Sequence, residues 1–262
     1  MSAFRLIASD LDGTLLRSDG TVSQRTKDAI RAAENAGFAF AFVTARPPRY
    51  IQGIAEAVGL TGAVVCSNGA ILYDIGRREV LHREALALEI ARDVVGKLRA
   101  SLPALSFAAE HGHGLAYDPR FPAFPEDPAP RVAEIEAFFD ENLVKLLLHH
   151  PDHDEEVLTE LVRAAIGGRG QVNHSGGPKI IEIAATGVSK ATGLTRLCKD
   201  LEIDRAEVIA FGDMPNDLPM LRFAGRAVAV ANAHPDVLAA ADEVTASNDE
   251  DGVARRIEAL LG

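Results

Sequence analysis

Cysteine is almost absent from this chain: Cys66 and Cys198 are the only two, far apart and in no paired pattern. A disulfide scaffold of the secreted kind is therefore excluded, and a reducing compartment is expected. Long apolar runs are missing too, and none approaches the roughly 18 residues that a membrane-spanning helix needs. The opening stretch Met1–Asp10 has no basic segment followed by an apolar run and a cleavage site. No secretion signal is expected, and the protein reads as cytoplasmic. Positive charge is scarce: 27 Lys and Arg stand against 38 Asp and Glu, for a formal net charge of −11. Such a surface repels nucleic acid and anionic membranes, so neither is expected as a partner. Internal repeats and low-complexity tracts are lacking. What remains is ordinary for a globular chain, 262 residues with 47% hydrophobic and 25% charged. That length can bury a sizeable core without structural metals and fill one large or two modest domains.

The first third alternates short apolar runs with amphipathic stretches. Phe4–Ser9, Phe38–Val43 and Ala63–Cys66 read as buried strands, and Ser23–Ala36 and Pro48–Val58 as helices. Ser23 suits an N-cap, and Gly37 sits where a C-terminal cap glycine belongs. The last third repeats the rhythm. It has helices over Ser189–Leu201, Asp217–Phe223, Pro235–Ala241 and Gly252–Leu261, and strands over Val208–Phe211, Ala227–Val230 and Glu243–Thr245. Apolar runs separated by helices predict βαβ units and a parallel sheet. From Arg83 to Thr186 the texture changes. Helices are expected over Ala85–Ala100, Arg131–Glu141 and Asp152–Ile166, a strand over Val144–His149, and a loop over Phe121–Pro130. Two hairpins are expected, Leu105–Ala109 with Leu115–Asp118, and Gln171–Ser175 with Lys179–Ala184. Paired strands with helices describe an α+β insert. The expected fold class is α/β: a doubly wound, Rossmann-like parallel-sheet core over residues 1–82 and 187–262, with an inserted α+β cap domain over 83–186.

The strongest chemical signal is Asp10-Leu11-Asp12-Gly13-Thr14-Leu15, directly after the first strand. Ligands of doubly wound sheets bind beyond the carboxyl ends of the strands. Two carboxylates two residues apart at such an end can face one crevice, attract a hard divalent cation and divide nucleophile and acid/base duties. Three further segments belong with it. Val43-Thr44-Ala45-Arg46-Pro47 follows the second strand and offers a hydroxyl and helix-start amides to an anion. Gly187-Val188-Ser189-Lys190 opens a helix with a cation. Phe211-Gly212-Asp213-Met214-Pro215-Asn216-Asp217 brings two carboxylates and an amide on a tight turn.

In that order, the four segments resemble the motifs of the haloacid dehalogenase-like phosphatase superfamily. Ser67-Asn68-Gly69-Ala70 is similar to its Asn-Gly segment before the cap. Asn232-Ala233-His234-Pro235 and Ser247–Val253 look like the C-terminal signatures of its Cof-type sugar-phosphatase branch, and the insert matches that branch's α/β cap. One departure is Ala45, where relatives often carry glycine. The resemblance implies that Asp10 is the nucleophile, forming an aspartyl-phosphate, and that Asp12 protonates the leaving oxygen and then activates water. It implies that Thr44, Arg46, Asn68, Lys190 and Asn216 face the substrate. Magnesium (Mg2+) would be held by Asp10, the backbone carbonyl of Asp12, and Asp213, with Asp217 supporting the metal or Lys190 from behind.

The expected activity is magnesium-dependent hydrolysis of small phosphate monoesters, sugar phosphates or related metabolites. Two rivals are a phosphosugar mutase of the phosphomannomutase type and, outside enzymes, a phosphorylated receiver-like signalling domain. Receivers place their acidic pair before a separate phosphoacceptor and need no cap. Six of the eight histidines, His111, His113, His149, His150, His153 and His174, lie in the insert. A zinc site needs three or four that converge; these read instead as solvated polar ends of cap elements, some lining the substrate entrance. Cys66 reads as inert packing in a buried strand.

Overall fold

The short apolar runs become strands because both their faces are covered. In the computed structural model, which describes residues 4–122, 131–174 (His174 by backbone only) and 179–262, β1 (Leu6–Ser9) is buried at all four positions. α1 (Gln24–Asn35) starts where the Ser23 hydroxyl accepts the Thr26 N–H at 3.0 Å. It buries Ala29, Ile30 and Ala33, and Gly37 turns the chain away at φ +90°. After β2 (Ala39–Phe42), the expected helix over 48–58 is split. Pro48–Tyr50 forms a 3₁₀ turn before α2 (Gln52–Val58), because Pro47 and Pro48 bring no amide to an α-helical first turn. Then come β3 (Ala63–Cys66), β4 (Ile71–Asp74) and β5 (Glu79–Arg83), the last two an unanticipated extension of β3 into an antiparallel sheet.

The insert follows, with α3 (Leu88–Ser101), β6 (Ser106–Glu110), β7 (Leu115–Tyr117), β8 (Arg131–Val132), β9 (Lys145–His149), α4 (Glu155–Ile166), β10 (Gln171–His174) and β11 (Ile180–Ala184). They make a six-stranded sheet in the order β10-β11-β9-β6-β7-β8, antiparallel except where β7 meets β8. α3 and α4 cover one face of it, burying Val94, Val95, Leu98, Leu158 and Val162 with Phe107, Leu146 and Leu148. The helix expected over 131–141 is not formed. Arg131–Val132 pairs with the sheet edge and only Ile135–Phe138 coils, as a 3₁₀ turn. So short a segment gains little from helix formation alone, and Arg99 draws Glu134 and Glu136 to 3.2 and 2.5 Å. Most of the expected loop over 121–130 and the end of the strand expected over 171–175 lie outside the described residues.

The chain then returns to the core with α5 (Lys190–Asp200), β12 (Val208–Gly212), α6 (Leu218–Phe223), β13 (Arg226–Ala229), α7 (Pro235–Ala240), β14 (Glu243–Val244) and α8 (Gly252–Leu261). The core sheet is parallel throughout, in the order β14-β13-β12-β1-β2. β3 joins it by a single parallel bridge, Val43 to Val65. The carboxyl ends of β1, β2 and β12 therefore lie side by side, and Asp10, Thr44 and Asp213 directly follow this row. Two compact units result, residues 1–82 with 189–262, and residues 83–188. Among the described residues no helix is long and apolar enough to cross a membrane.

Candidate active site

Asp10 leaves β1 with its amide bonded to the Phe211 carbonyl of β12 at 3.0 Å and its side chain 5% exposed. Lys190 reaches it from the first residue of α5, a helix capped by the Ser189 side chain. The lysine Nζ donates to Asp10 Oδ1 and to Asp217 Oδ1, each at 2.5 Å. The other oxygen of Asp217 accepts the amides of Asp213 and Met214 at 2.9 and 3.0 Å. Both oxygens of Asp217 are thus engaged in holding Lys190 and the turn after β12. Asp213 Oδ1 accepts the Thr14 hydroxyl at 2.7 Å. Its Oδ2 lies where a Cβ on Gly13 would be 2.4 Å away, so at φ +76° only glycine lets the loop pass the carboxylate.

The remaining candidates arrange themselves around this cluster. Asp12 is not part of it. Its carboxylate is half exposed and takes two bonds from Arg46, from Nε at 2.8 Å and Nη2 at 2.5 Å. Thr44 is buried, and its hydroxyl accepts the Arg46 amide at 3.1 Å. Asn216 and Asn68 are brought together, Nδ2 of the former donating to Oδ1 of the latter at 3.2 Å. Asn68 is held by consecutive left-handed residues, Ser67 at φ 51° and Asn68 at φ 54°, while its amide bonds the Thr44 carbonyl. Among the described residues, the insert's histidines do not converge with other ligands. Among the described residues, Asp10, Asp213 and Asp217 form the one metal-competent group, with carboxylate oxygens within 4.8 Å of one another. The picture of solvated histidines fails for two of them: His111 and His150 are buried, because the His111 ring meets the Phe138 carbonyl at 2.9 Å and His150 stacks on His153. The His174 side chain lies outside the described residues.

Three buried carboxylates and one ammonium leave two surplus negative charges away from water. Burial pushes the Asp10 carboxyl well above the usual range; Lys190 opposes the rise, and Asp217 and Asp213 add to it. Burial likewise drives Asp213 up to about 6, with the Thr14 hydroxyl pulling the other way. Burial opposes the charge on Lys190, but Asp10 and Asp217 outweigh it and hold the ammonium above its ordinary value. A cluster in this state takes up protons or a cation. Asp10 and Asp213 each keep one oxygen that accepts none of the bonds described above. This hard, oxygen-only donor set fits a divalent cation of the magnesium kind.

Residues 7–257, nearly the whole chain, match the haloacid dehalogenase-like hydrolases. The chain belongs to that family. It is 31% identical to a 5-amino-6-(5-phospho-D-ribitylamino)uracil phosphatase of Bacillus subtilis, with 95% of each chain covered. Its identity to the pyridoxal phosphate phosphatase of Escherichia coli is 28%, with 98% of each covered. A solved phosphatase of the haloalkanoate superfamily from Bacteroides thetaiotaomicron superposes with a TM-score of 0.83 at 27% identity, covering 98% of this chain and 95% of that one. This haloacid dehalogenase-like hydrolase is a phosphatase of small phosphate esters.

Two contributors to the hydrolase site escape a reading by motif. Thr14 stands inside the opening motif, yet its partner Asp213 lies 199 residues away. Asn232 donates to the Gly13 carbonyl at 2.8 Å from a C-terminal signature that carries no chemistry of its own. Hydroxyls and amides pair with almost any polar group, so type and spacing alone do not name their partners.

Proposed function

We propose that this phosphatase is magnesium-dependent and hydrolyses small phosphate monoesters, sugar phosphates or related metabolites, through an aspartyl-phosphate on Asp10. The observation that carries the reading is the Asp10–Lys190–Asp217 arrangement beside Asp213: a buried carboxylate nucleophile with a fixed cation next to it. An Asp10 oxygen attacks phosphorus, the ester P–O bond breaks, and Asp12 gives its proton to the leaving oxygen. Water then attacks the aspartyl-phosphate, Asp12 takes the water's proton, and inorganic phosphate departs, restoring Asp10. Lys190, with Thr44, Arg46, Asn68 and Asn216, binds and orients the phosphoryl oxygens and leaving group. Lys190 also neutralises charge that would otherwise repel the nucleophile. Asp10, Asp213 and the Asp12 carbonyl would hold magnesium, which supplies further neutralisation of the phosphoryl charge when bound. In this reading residues 1–82 and 187–262 carry the catalysis in the cytoplasm, and residues 83–186 select the leaving group.

The test is a panel of phosphate metabolites, hexose phosphates and pyridoxal phosphate among them, assayed for released phosphate with magnesium and with EDTA. Release with magnesium, loss in EDTA and loss in Asp10→Asn are expected. Full activity in a metal-stripped preparation would overturn the metal, and sugar-phosphate isomerisation without release would install the mutase in its place.

A further inference from the structure

The C-terminal segments Asn232–Pro235 and Ser247–Val253 supply none of the reacting groups assigned above, yet they are tied bond by bond to the loop that carries Asp10 and Asp12. The Asn232 side chain donates from Nδ2 to the Gly13 carbonyl at 2.8 Å, and its Oδ1 accepts the Asn248 amide at 2.9 Å. The buried Asn248 side chain donates in turn to the Leu16 carbonyl at 2.9 Å. Beyond it, Asp249 accepts the Ser18 amide at 2.8 Å and its hydroxyl at 2.7 Å. Asp251 grips Arg17 with both oxygens, at 2.8 and 2.9 Å. On the other side, the His234 amide donates to the Asp213 carbonyl at 2.8 Å. One short stretch, Asn232 to His234, is therefore bonded both to the Gly13–Thr14 peptide and to the Asp213 carbonyl.

The loop needs such a restraint. Residues 11–15 break helical geometry at Asp12 and at Gly13, where the backbone turns left-handed. The Gly13 backbone passes so close to the Asp213 carboxylate that a small shift of that peptide changes the spacing of the two carboxylates. We propose that Asn232, backed by Asn248, is a positioning residue: it holds the Gly13 peptide, and with it Asp10 and Asp12, in register with Asp213. The inference rests on the function proposed above for its catalytic consequence, and on the hydrogen bonds alone for its structural one.

Asn232→Asp is the decisive variant. It keeps the shape of the side chain and an oxygen for the Asn248 amide, but it sets an acceptor against the Gly13 carbonyl. The side chain is exposed, so the fold tolerates the change, and Asn232→Ala serves as the neutral second variant. The expected result is a kcat for phosphate-ester hydrolysis about ten- to a hundredfold lower with KM within about threefold, since displaced reacting groups cost rate rather than binding. Amide hydrogen exchange should quicken over residues 12–18 and stay slow in β1 and β12. Asn232→Gln, which returns a donor on a longer arm, should recover part of the kcat. Wild-type kcat in both Asn232→Asp and Asn232→Ala overturns the proposal. So does a kcat loss with unchanged exchange over 12–18, because Asn232 would then act on the substrate directly. If the wild-type chain releases no phosphate, the function fails, while quickened exchange in the variants would still support the latch.

Discussion

At the scale of single residues, the two carboxylates of the opening motif lie two positions apart and live in different surroundings. Asp10 is buried against Lys190, whereas Asp12 is half exposed and held by Arg46. A nucleophile gains from a fixed, dry setting, and a group that passes protons to and from water gains from access to it. The difference makes their variants separable. An alkoxide leaves poorly unless protonated, so Asp12→Ala should lose sugar-phosphate hydrolysis by about 10²–10⁴-fold. Nitrophenolate is stable as an anion and needs no such help. Rapid-quench kinetics of Asp12→Ala with nitrophenyl phosphate should show a burst of about one equivalent, then a stall, because no base remains to activate water. Asp10→Asn should show no burst. Unimpaired steady turnover in the Asp12 variant would remove Asp12 from the proton's path. Arg46→Ala should share the bias against alkyl esters if its guanidinium mainly orients Asp12, and should slow both ester types equally if it mainly binds phosphate.

Among the elements, α5 shows how packing delivers a side chain to the site. Gly193 faces Gly69 and Val65, and a Cβ there would come 2.4 Å from Val65 Cγ1 and 2.7 Å from the Gly69 Cα. The helix that begins at Lys190 can approach β3 and the Gly69 turn this closely only because positions 193 and 69 carry no side chain. Gly193→Ala should destabilise the protein by about 1–3 kcal/mol through overpacking and lower kcat by pushing Lys190 off Asp10. Gly53, exposed in the first turn of α2, has nothing within 4 Å of its Cβ direction. Gly53→Ala should therefore stabilise by roughly 0.5–1 kcal/mol with activity unchanged. Thermal denaturation of both variants beside steady-state assays checks the contrast. The sequence makes α1 and α5 readable because Ser23 and Ser189 announce their starts and the apolar spacing follows. It does not make β5 readable, since Glu79–Arg83 is largely exposed and lacks a strand's alternation. It also misleads over 131–141, where Val132, Ile135 and Phe138 keep helical spacing but pairing with β7 and the pull of Arg99 decide. The pairs Thr14–Asp213 and Asn232–Gly13 become visible only once parallel strands set the ends of β1 and β12 side by side.

For the molecule as a whole, charge sets the balance. The chain carries a formal −11, and three of its carboxylates are buried together around a single lysine. Unfolded, Asp10 and Asp213 would titrate near the ordinary carboxyl value of about 3.9. Folded and without metal, both are raised by burial, Asp213 to about 6. A group whose folded pKa is raised contributes stability that is complete below its unfolded pKa and is lost as pH rises through its folded pKa. Metal-free protein should therefore melt at a progressively lower temperature as pH is taken from about 5 to about 7.5, across the Asp213 value. A cation that binds only the folded cluster restores what ionisation removes, by about 2.7 kcal/mol at a concentration one hundred times its Kd. With saturating magnesium, the fall in melting temperature over that window should be much shallower than in EDTA. Asp213→Asn removes one of the two raised carboxyls and a ligand together, so its metal-free melting curve should change less with pH and respond weakly to magnesium. Equal melting temperatures at both pH values in EDTA would mean that the cluster is already compensated within the protein, and that its surplus charge makes no demand for a metal.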